Sequence, residues 1–162
     1  MKRIILISTL TLILDILTKQ LVINLMIENQ SISLIKDFFS LTYAKNTGVA
    51  FSFLEGNVSL IIIITSIIIL LILKYIKDIV KNKYEIICYG LIIGGAIGNL
   101  IDRICYGYVI DFLDFNLFGY PFPIFNIADT AIVIGIFSLI ILSFIEGSDK
   151  NEINSKRKIK NR

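Results

Sequence analysis

Four long apolar runs constrain this 162-residue chain more than any other feature. They are Ile4–Leu14, continuing past Asp15 to Ile27, then Val58–Leu73, Ile86–Ile101 and Thr130–Ile145. A helix needs ~20 apolar residues to cross about 30 Å of hydrocarbon, and each run approaches or reaches that length. With 56% hydrophobic residues, 18% charged residues and a mean hydropathy of +0.81, the chain lacks the polar surface of a soluble domain. The reading is a mainly α membrane protein with four transmembrane helices. Lys2 and Arg3 before the first run also suit a signal peptide, but that run is too long for one. Asp15 and Lys19 interrupt it and no small-residue cleavage site follows, so it reads as a retained helix.

The basic residues orient the bundle. Lys2 and Arg3 precede the first helix, Lys74, Lys77, Lys81 and Lys83 fill the second loop, and Lys150, Lys156, Arg157, Lys158, Lys160 and Arg162 lie in the tail. The other loops carry only Lys36 and Lys45. The positive-inside rule therefore predicts both termini in the cytoplasm (N-in, C-in). Residues 1–147 read as one four-helix domain, with an outer β-cradle at about 30–57 and an outer segment at about 106–125. Residues 148–162 read as a basic cytoplasmic tail, frayed or disordered, that is solvated or rests on anionic lipid. The net charge of +3 calls for no nucleic acid.

In the cradle, Phe39–Ala44 and Val49–Phe53 each alternate with period two around a turn-like Lys45-Asn46-Thr47-Gly48, which predicts a hairpin, or part of a small sheet, with one apolar face on the bilayer or the bundle. The segment between the third and fourth helices is rich in Phe and Tyr, which suit a membrane interface. Gly94, Gly95 and Gly98 let the third helix approach a neighbour closely. Cys88 and Cys105 form no CxxC and no ligand cluster, so neither a metal nor a cofactor is expected, and helix packing accounts for Cys88.

Alternating helix directions bring the intramembrane polar residues to one level. Asp15 and Lys19 lie one turn apart on the first helix, while Asn99, Asp102 and Arg103 lie at the outer end of the third. Asn126 and Asp129 share a face of the first turn of the fourth helix, Asp111 lies in the outer segment, and Asn46 lies beside Gly48 in the cradle. Ionisable groups in a membrane are costly and mark function by default. The chain has no histidine, so acid–base chemistry falls to carboxylates, lysines, tyrosines or cysteines. Asp111 and Asp129, if close together, repel one another, raise one pKa and share a proton near neutrality. The charged member can then deprotonate water while the neutral one polarises a carbonyl, with the base unassigned. Asp102 and Arg103 suit an ion pair or brace, and Asp15 with Lys19 a self-neutralising pair. Asp37 and Glu55 read as solvated, and Asp114 as a minor contender for the site.

Five stretches carry a resemblance: Asp15-Ile-Leu-Thr-Lys19, Asn46-Thr-Gly-Val-Ala-Phe-Ser-Phe53, Gly94-Gly-Ala-Ile-Gly-Asn99-Leu-Ile-Asp102-Arg103, Val109-Ile-Asp111-Phe112 and Phe125-Asn126-Ile-Ala-Asp129. In this order the chain resembles lipoprotein signal peptidase (signal peptidase II), the membrane aspartic peptidase of bacteria. Val49 stands where the family commonly has Ala, and Ile110 where it has Val. The resemblance implies that Asp111 and Asp129 are the catalytic dyad. It implies that Asn46, Asn99, Arg103, Asn126, Asp15 and Lys19 support the site or the substrate; Asp102 and Gly48 are kept beside them as supporting candidates. It further implies a small extracytoplasmic β-sheet, a short outer helix after Asp111, and a diacylated prolipoprotein substrate cut just before its lipidated cysteine. The expected setting is the bacterial cytoplasmic (inner) membrane, multi-pass and monomeric, with the active site at the extracytoplasmic face and membrane lipid around it.

Other classes fit less well. A proton-coupled transporter or channel subunit predicts polar residues spread through the membrane's depth, often with repeats. A Ser–Lys dyad from Ser52 with Lys45 or Lys19 leaves the two carboxylates unexplained. A non-enzymatic assembly protein explains them no better.

Overall fold

In the computed structural model, residues 1–49, 54–117 and 119–160 are described, without the side chains of Pro121 and residues 147–160. Four helices carry the apolar runs: α1 (Lys2–Leu25), α2 (Val58–Ile79), α3 (Lys83–Tyr106) and α4 (Ile127–Lys160). At about 1.5 Å per residue, the 24 residues of α1 or α3 reach about 36 Å, enough to cross hydrocarbon. In α4 the apolar span is Ile127–Glu146. Large side chains such as Leu21, Ile63, Ile67 and Phe137 are exposed, as lipid-facing residues of a bundle must be. Asn82 caps α3 by accepting from the amides of Tyr84 (2.9 Å) and Glu85 (3.0 Å), and Gly107 ends it in the left-handed region at φ 77.

Helix α3 is the central element, packed against α1, α2 and α4. Its glycines let backbones meet. A Cβ on Gly90 would meet Ile7, one on Gly94 would lie 2.6 Å from the Ser8 carbonyl oxygen, and one on Gly98 would strike the Asp15 carboxylate. The matched numbers rise together, so α1 and α3 run parallel. On the opposite side a Cβ on Gly95 would strike the Ala128 carbonyl, while one on Gly135 would lie 2.8 Å from the Cys88 carbonyl oxygen. Those numbers run in opposite senses, so α4 is antiparallel to α3. This arrangement brings the C-terminal ends of α1 and α3 beside the start of α4.

An antiparallel sheet covers that end, with strand order β1-β2-β3-β4: β1 (Ser31–Ile35), β2 (Phe39–Asn46), β3 (Val109–Leu117) and β4 (Tyr120–Pro121). Strands β1 and β2 form a hairpin whose turn holds Asp37 at φ 58, a conformation that Asp tolerates better than most side chains. Strand β2 then pairs with β3, placing Ala44 opposite Asp111 and Asn46 opposite Val109. Side chains alternate along β3. Ile110 and Phe112 join Val22, Met26 and Tyr43 in a buried cluster that seats the sheet on α1. Asp111 consequently faces the other way.

Three expectations need correction. Phe39–Asn46 forms a hairpin with Ser31–Ile35, and Lys45 and Asn46 end a strand instead of forming a turn. Residues 50–53 lie outside the described residues. Ser31-Ile32-Ser33-Leu34 alternates as well as the segment chosen from sequence, and its short link to β2 makes it the easier partner. The short outer helix after Asp111 is replaced by β3. Val109, Ile110, Phe112 and Phe115 favour a strand, and the free edge of β2 completes it. The tail does not fray: the backbone of α4 stays helical to Lys160, through a segment rich in Lys, Arg and Glu, which have good helix propensity.

The α1–α3 contact yields a direct expectation. Gly94→Ala places a methyl 2.6 Å from the Ser8 carbonyl oxygen and 2.8 Å from the Thr11 Cβ. Forcing the helices apart should cost about 1–3 kcal/mol, read as a lower unfolding midpoint in detergent.

Candidate active site

The site starts from a buried ammonium. Lys19 Nζ lies 2.7 Å from Asp15 Oδ2 and 2.9 Å from Asp102 Oδ2, and donates to Asn99 Oδ1 at 2.9 Å. Lys19 is 1% exposed and Asp15 0%, so these charges meet almost without solvent. Two further contacts tie this knot to other elements. Asp15 Oδ1 accepts the Ala128 amide of α4 at 2.9 Å, one of the amides a helix start leaves unpaired. Asp102 Oδ2 accepts the Ile110 amide of β3 at 3.2 Å, next to Asp111.

Asn126 and Asn99 join the two candidate acids. Asn126 caps α4, its Oδ1 accepting the Asp129 amide at 2.8 Å. Its Nδ2 then donates to Asp111 Oδ1 at 2.7 Å and to Asn99 Oδ1 at 3.1 Å. Asn99 Nδ2 donates to Asp129 Oδ1 at 2.6 Å. The path Asp111–Asn126–Asn99–Asp129 is therefore continuous. From β2, Asn46 Nδ2 donates to Asp111 Oδ2 at 2.9 Å while Asn46 Oδ1 accepts the Gly48 amide at 2.9 Å. Arg103 closes the ring by donating from Nη2 to the Gly48 carbonyl at 2.6 Å and from Nη1 to the Asn99 carbonyl at 3.4 Å.

Asp111 and Asp129 open on one cavity of about 600 Å³. Asn46, Asn99 and Arg103 supply its polar wall, and Ile61, Ala96, Ile132 and Val133 from three helices supply an apolar one. Burial, and after it the negative charge of Asp129, lifts the Asp111 carboxyl from its usual range to about 7. Hydrogen bonds from Asn46 and Asn126, and the charge of Lys19, oppose that rise. Such a site can hold one proton between two acids beside an apolar groove.

All ten residues singled out from sequence, Asp15, Lys19, Asn46, Gly48, Asn99, Asp102, Arg103, Asp111, Asn126 and Asp129, fall in this one connected network. Of the two roles read for Asp102 and Arg103, the hydrogen-bonded brace of α3 against its neighbours is the one observed, not an ion pair between the two. Asp102 bonds Lys19 and a strand amide, whereas Arg103 bonds two carbonyls, so the two neighbours point apart. Asp114 is not part of it; its carboxylate accepts from Thr42 Oγ1 at 2.7 Å and lines a separate hollow with Asp37. Glu55, read as merely solvated, lines the main cavity, as do Lys45 and Thr65. Lys45 entered the sequence reading only as half of a Ser–Lys dyad, and no residue pattern flags Glu55 or Thr65, because only the approach of α2 and the sheet puts them there. The Ala128 amide was equally hidden, being backbone.

Comparisons with known proteins place the chain in a family. A family model described as Signal peptidase (SPase) II matches residues 7–145. The chain belongs to the signal peptidase II family. Its relatives include "Lipoprotein signal peptidase" of Staphylococcus aureus strains JH9 and Newman, each 40% identical over 149 residues, covering 91% of this chain and 91% of the relative. Among solved structures, a bacterial membrane enzyme determined by the in meso method at 2.3 Å superposes with a TM-score of 0.86 at 38% identity, covering 93% of this chain and 92% of the other. A second, at 1.9 Å, gives 0.79 at 38% identity over 88% and 92%. This signal peptidase II family member is thus a peptidase by family and a multi-pass membrane protein, with four helices long and apolar enough to span.

The Lys19 knot carries its own test. Lys19→Met leaves Asp15 and Asp102 facing each other without a counter-charge, which should cost about 3–5 kcal/mol. Loss of the folded, detergent-stable fraction measures it, and wild-type stability in that variant contradicts the assigned knot.

Proposed function

We propose that this chain is an aspartic endopeptidase that removes the signal peptide from diacylglyceryl-modified prolipoproteins, cutting just before the lipidated cysteine. The observation that carries the reading is the pair Asp111 and Asp129, joined through Asn126 and Asn99 and open to one cavity. The names of the relatives support the substrate class. The distribution of basic residues supports placing the site at the extracytoplasmic face of the bacterial cytoplasmic (inner) membrane. We take the enzyme to work as a monomer, since every residue of the network comes from one chain.

The chemistry follows from one proton held by two acids. The ionised carboxylate takes a proton from water, and the water oxygen attacks the scissile carbonyl carbon. The neutral carboxyl protonates the carbonyl oxygen as it becomes tetrahedral. On collapse, the first acid passes its proton to the leaving nitrogen while a hydroxyl proton returns to the second, and both acids are restored. Asn99 and Asn126 hold the pair in register. The apolar wall suits acyl chain or signal-peptide side chains, and Asn46 and Arg103 hold the sheet over the peptide. A bond beside a lipid anchor lies at the interface, so its catalysts must lie there as well.

Asp111→Asn and Asp129→Asn should each lower processing of a diacylated prolipoprotein by roughly 10²–10⁴-fold or more while the protein still inserts and folds. Full turnover by either variant removes the dyad. Ser52→Ala should be mild. The pH profile of kcat/KM is a second check. With Asp111 lifted to about 7 beside a charged Asp129, the pair keeps its last proton below that value and loses it above. Activity should therefore fall as pH rises past neutrality, and fall again in acid as the remaining carboxylate is protonated. A flat profile from about pH 5 to 9 contradicts the shared proton.

A further inference from the structure

The two acids share a proton, yet their surroundings are unequal. Asp111 lies on a strand and is 2% exposed, flanked in sequence by buried Ile110 and Phe112. Asp129 is only half-buried and sits in the first turn of α4, where the unpaired amides of the helix start favour negative charge.

Hydrogen-bond direction around the pair follows from groups with no choice of role. Lys19 can only donate, so Asn99 must present its oxygen to Lys19 and its amide nitrogen to Asp129. The ammonium thus polarises the amide that bonds Asp129 at 2.6 Å. The Asp129 and Gly48 backbone amides likewise claim the oxygens of Asn126 and Asn46, leaving their nitrogens to Asp111. Asp111 therefore receives two neutral donors, one per oxygen, with no cation behind Asn46. Each oxygen keeps a second lone pair, so one can still carry a proton.

The charged groups around Asp111 are Lys19 from α1, Arg103 from α3 and Asp129 from α4, and Lys45 of β2 and Glu55 before α2 line the same cavity. Lys19 and Arg103 attract both carboxylates, so their direct attraction does not decide between them. The decision falls to the helix start and to the donors, with Asn99 polarised by Lys19 on Asp129 and the neutral Asn46 and Asn126 on Asp111.

We infer that Asp129 is the ionised member and general base, and that Asp111 carries the shared proton and protonates the carbonyl oxygen. The inference rests on the aspartic dyad proposed above. Water gives its proton to Asp129, its oxygen bonds the carbonyl carbon, and the Asp111 proton moves to the carbonyl oxygen. When the C–N bond breaks, Asp129 returns its proton to the nitrogen and Asp111 regains one from the tetrahedral hydroxyl. One water is consumed, and no other reagent is needed.

Asn46 donates to Asp111 and not to Asp129, so Asn46→Ala separates the alternatives. Losing that donor raises the proton affinity of Asp111 alone. In the full-length enzyme in lipid, the alkaline limb of kcat/KM should move up by roughly half to one pH unit while the acid limb stays. Movement of the acid limb with a fixed alkaline limb makes Asp111 the base and overturns the assignment. Should Asn46→Ala lack measurable activity, ¹³C NMR of aspartate-labelled wild-type protein, assigned with the Asp111→Asn and Asp129→Asn spectra, gives the same answer. The signal that ionises first with rising pH should belong to Asp129, and the reverse order refutes the inference. Activity of those two Asp→Asn variants is measured alongside. Turnover in either refutes the dyad itself, whereas a reversed order with both inactive refutes only the division of roles.

Discussion

The rest of the structure depends on a single ammonium sealed among helices. Lys19 meets Asp15, Asp102 and Asn99 within 2.9 Å while 1% exposed. Removing such a charge from water is expensive, and only complete pairing in one geometry repays it. The requirement selects one relative height of α1 and α3. Through the second oxygen of Asp15 and the Ala128 amide, it also selects where α4 begins. Asp102 passes the same constraint to β3 through Ile110. Four elements are thus held in register by one buried knot.

Close approach of the helices makes this possible. Lipid offers no hydrophobic drive between helices, so contact must come from backbones that can meet. Gly94 and Gly98 bring α1 against α3, and Gly95 with Gly135 brings α4 against its other side. Gly98 serves two purposes, because a side chain there would occupy the space of the Asp15 carboxylate. Packing and polar register are therefore the same interaction seen from two sides.

The consequence for chemistry is a carboxylate pair in a fixed frame. Asn126 caps a helix, bonds Asp111 and touches Asn99 with one side chain, so neither acid can shift without unsettling the start of α4. The β-sheet contributes by its alternation: Ile110 and Phe112 seat it on α1, and Asp111 is turned towards the cavity as a result. Burial then raises the proton affinity of Asp111 into the neutral range, the condition the proposed dyad sets for an acid that holds and releases a proton. The proposed chemistry needs no histidine, and the chain contains none.

Much of this was legible in the residue order. Apolar length announced four spans, because hydrocarbon thickness admits few alternatives. Alternating helix directions then gathered Asp15, Lys19, Asn99, Asp102, Arg103, Asn126 and Asp129 at one end, since a span's depth follows from counting residues. Pairing did not follow from counting. Asp102 turns to Lys19 rather than to its neighbour Arg103, and Asp15 reaches a backbone amide in α4 that no side-chain pattern reveals. Strand pairing was equally open, because alternation alone does not say which segments join β2, and only the register with β1 and β3 decides it. Sequence by itself determined which residues meet the interface, because burying charge in lipid is costly wherever it occurs. Only the tertiary structure decided which donor faces which oxygen, because hydrogen-bond direction is set jointly by elements far apart in the chain.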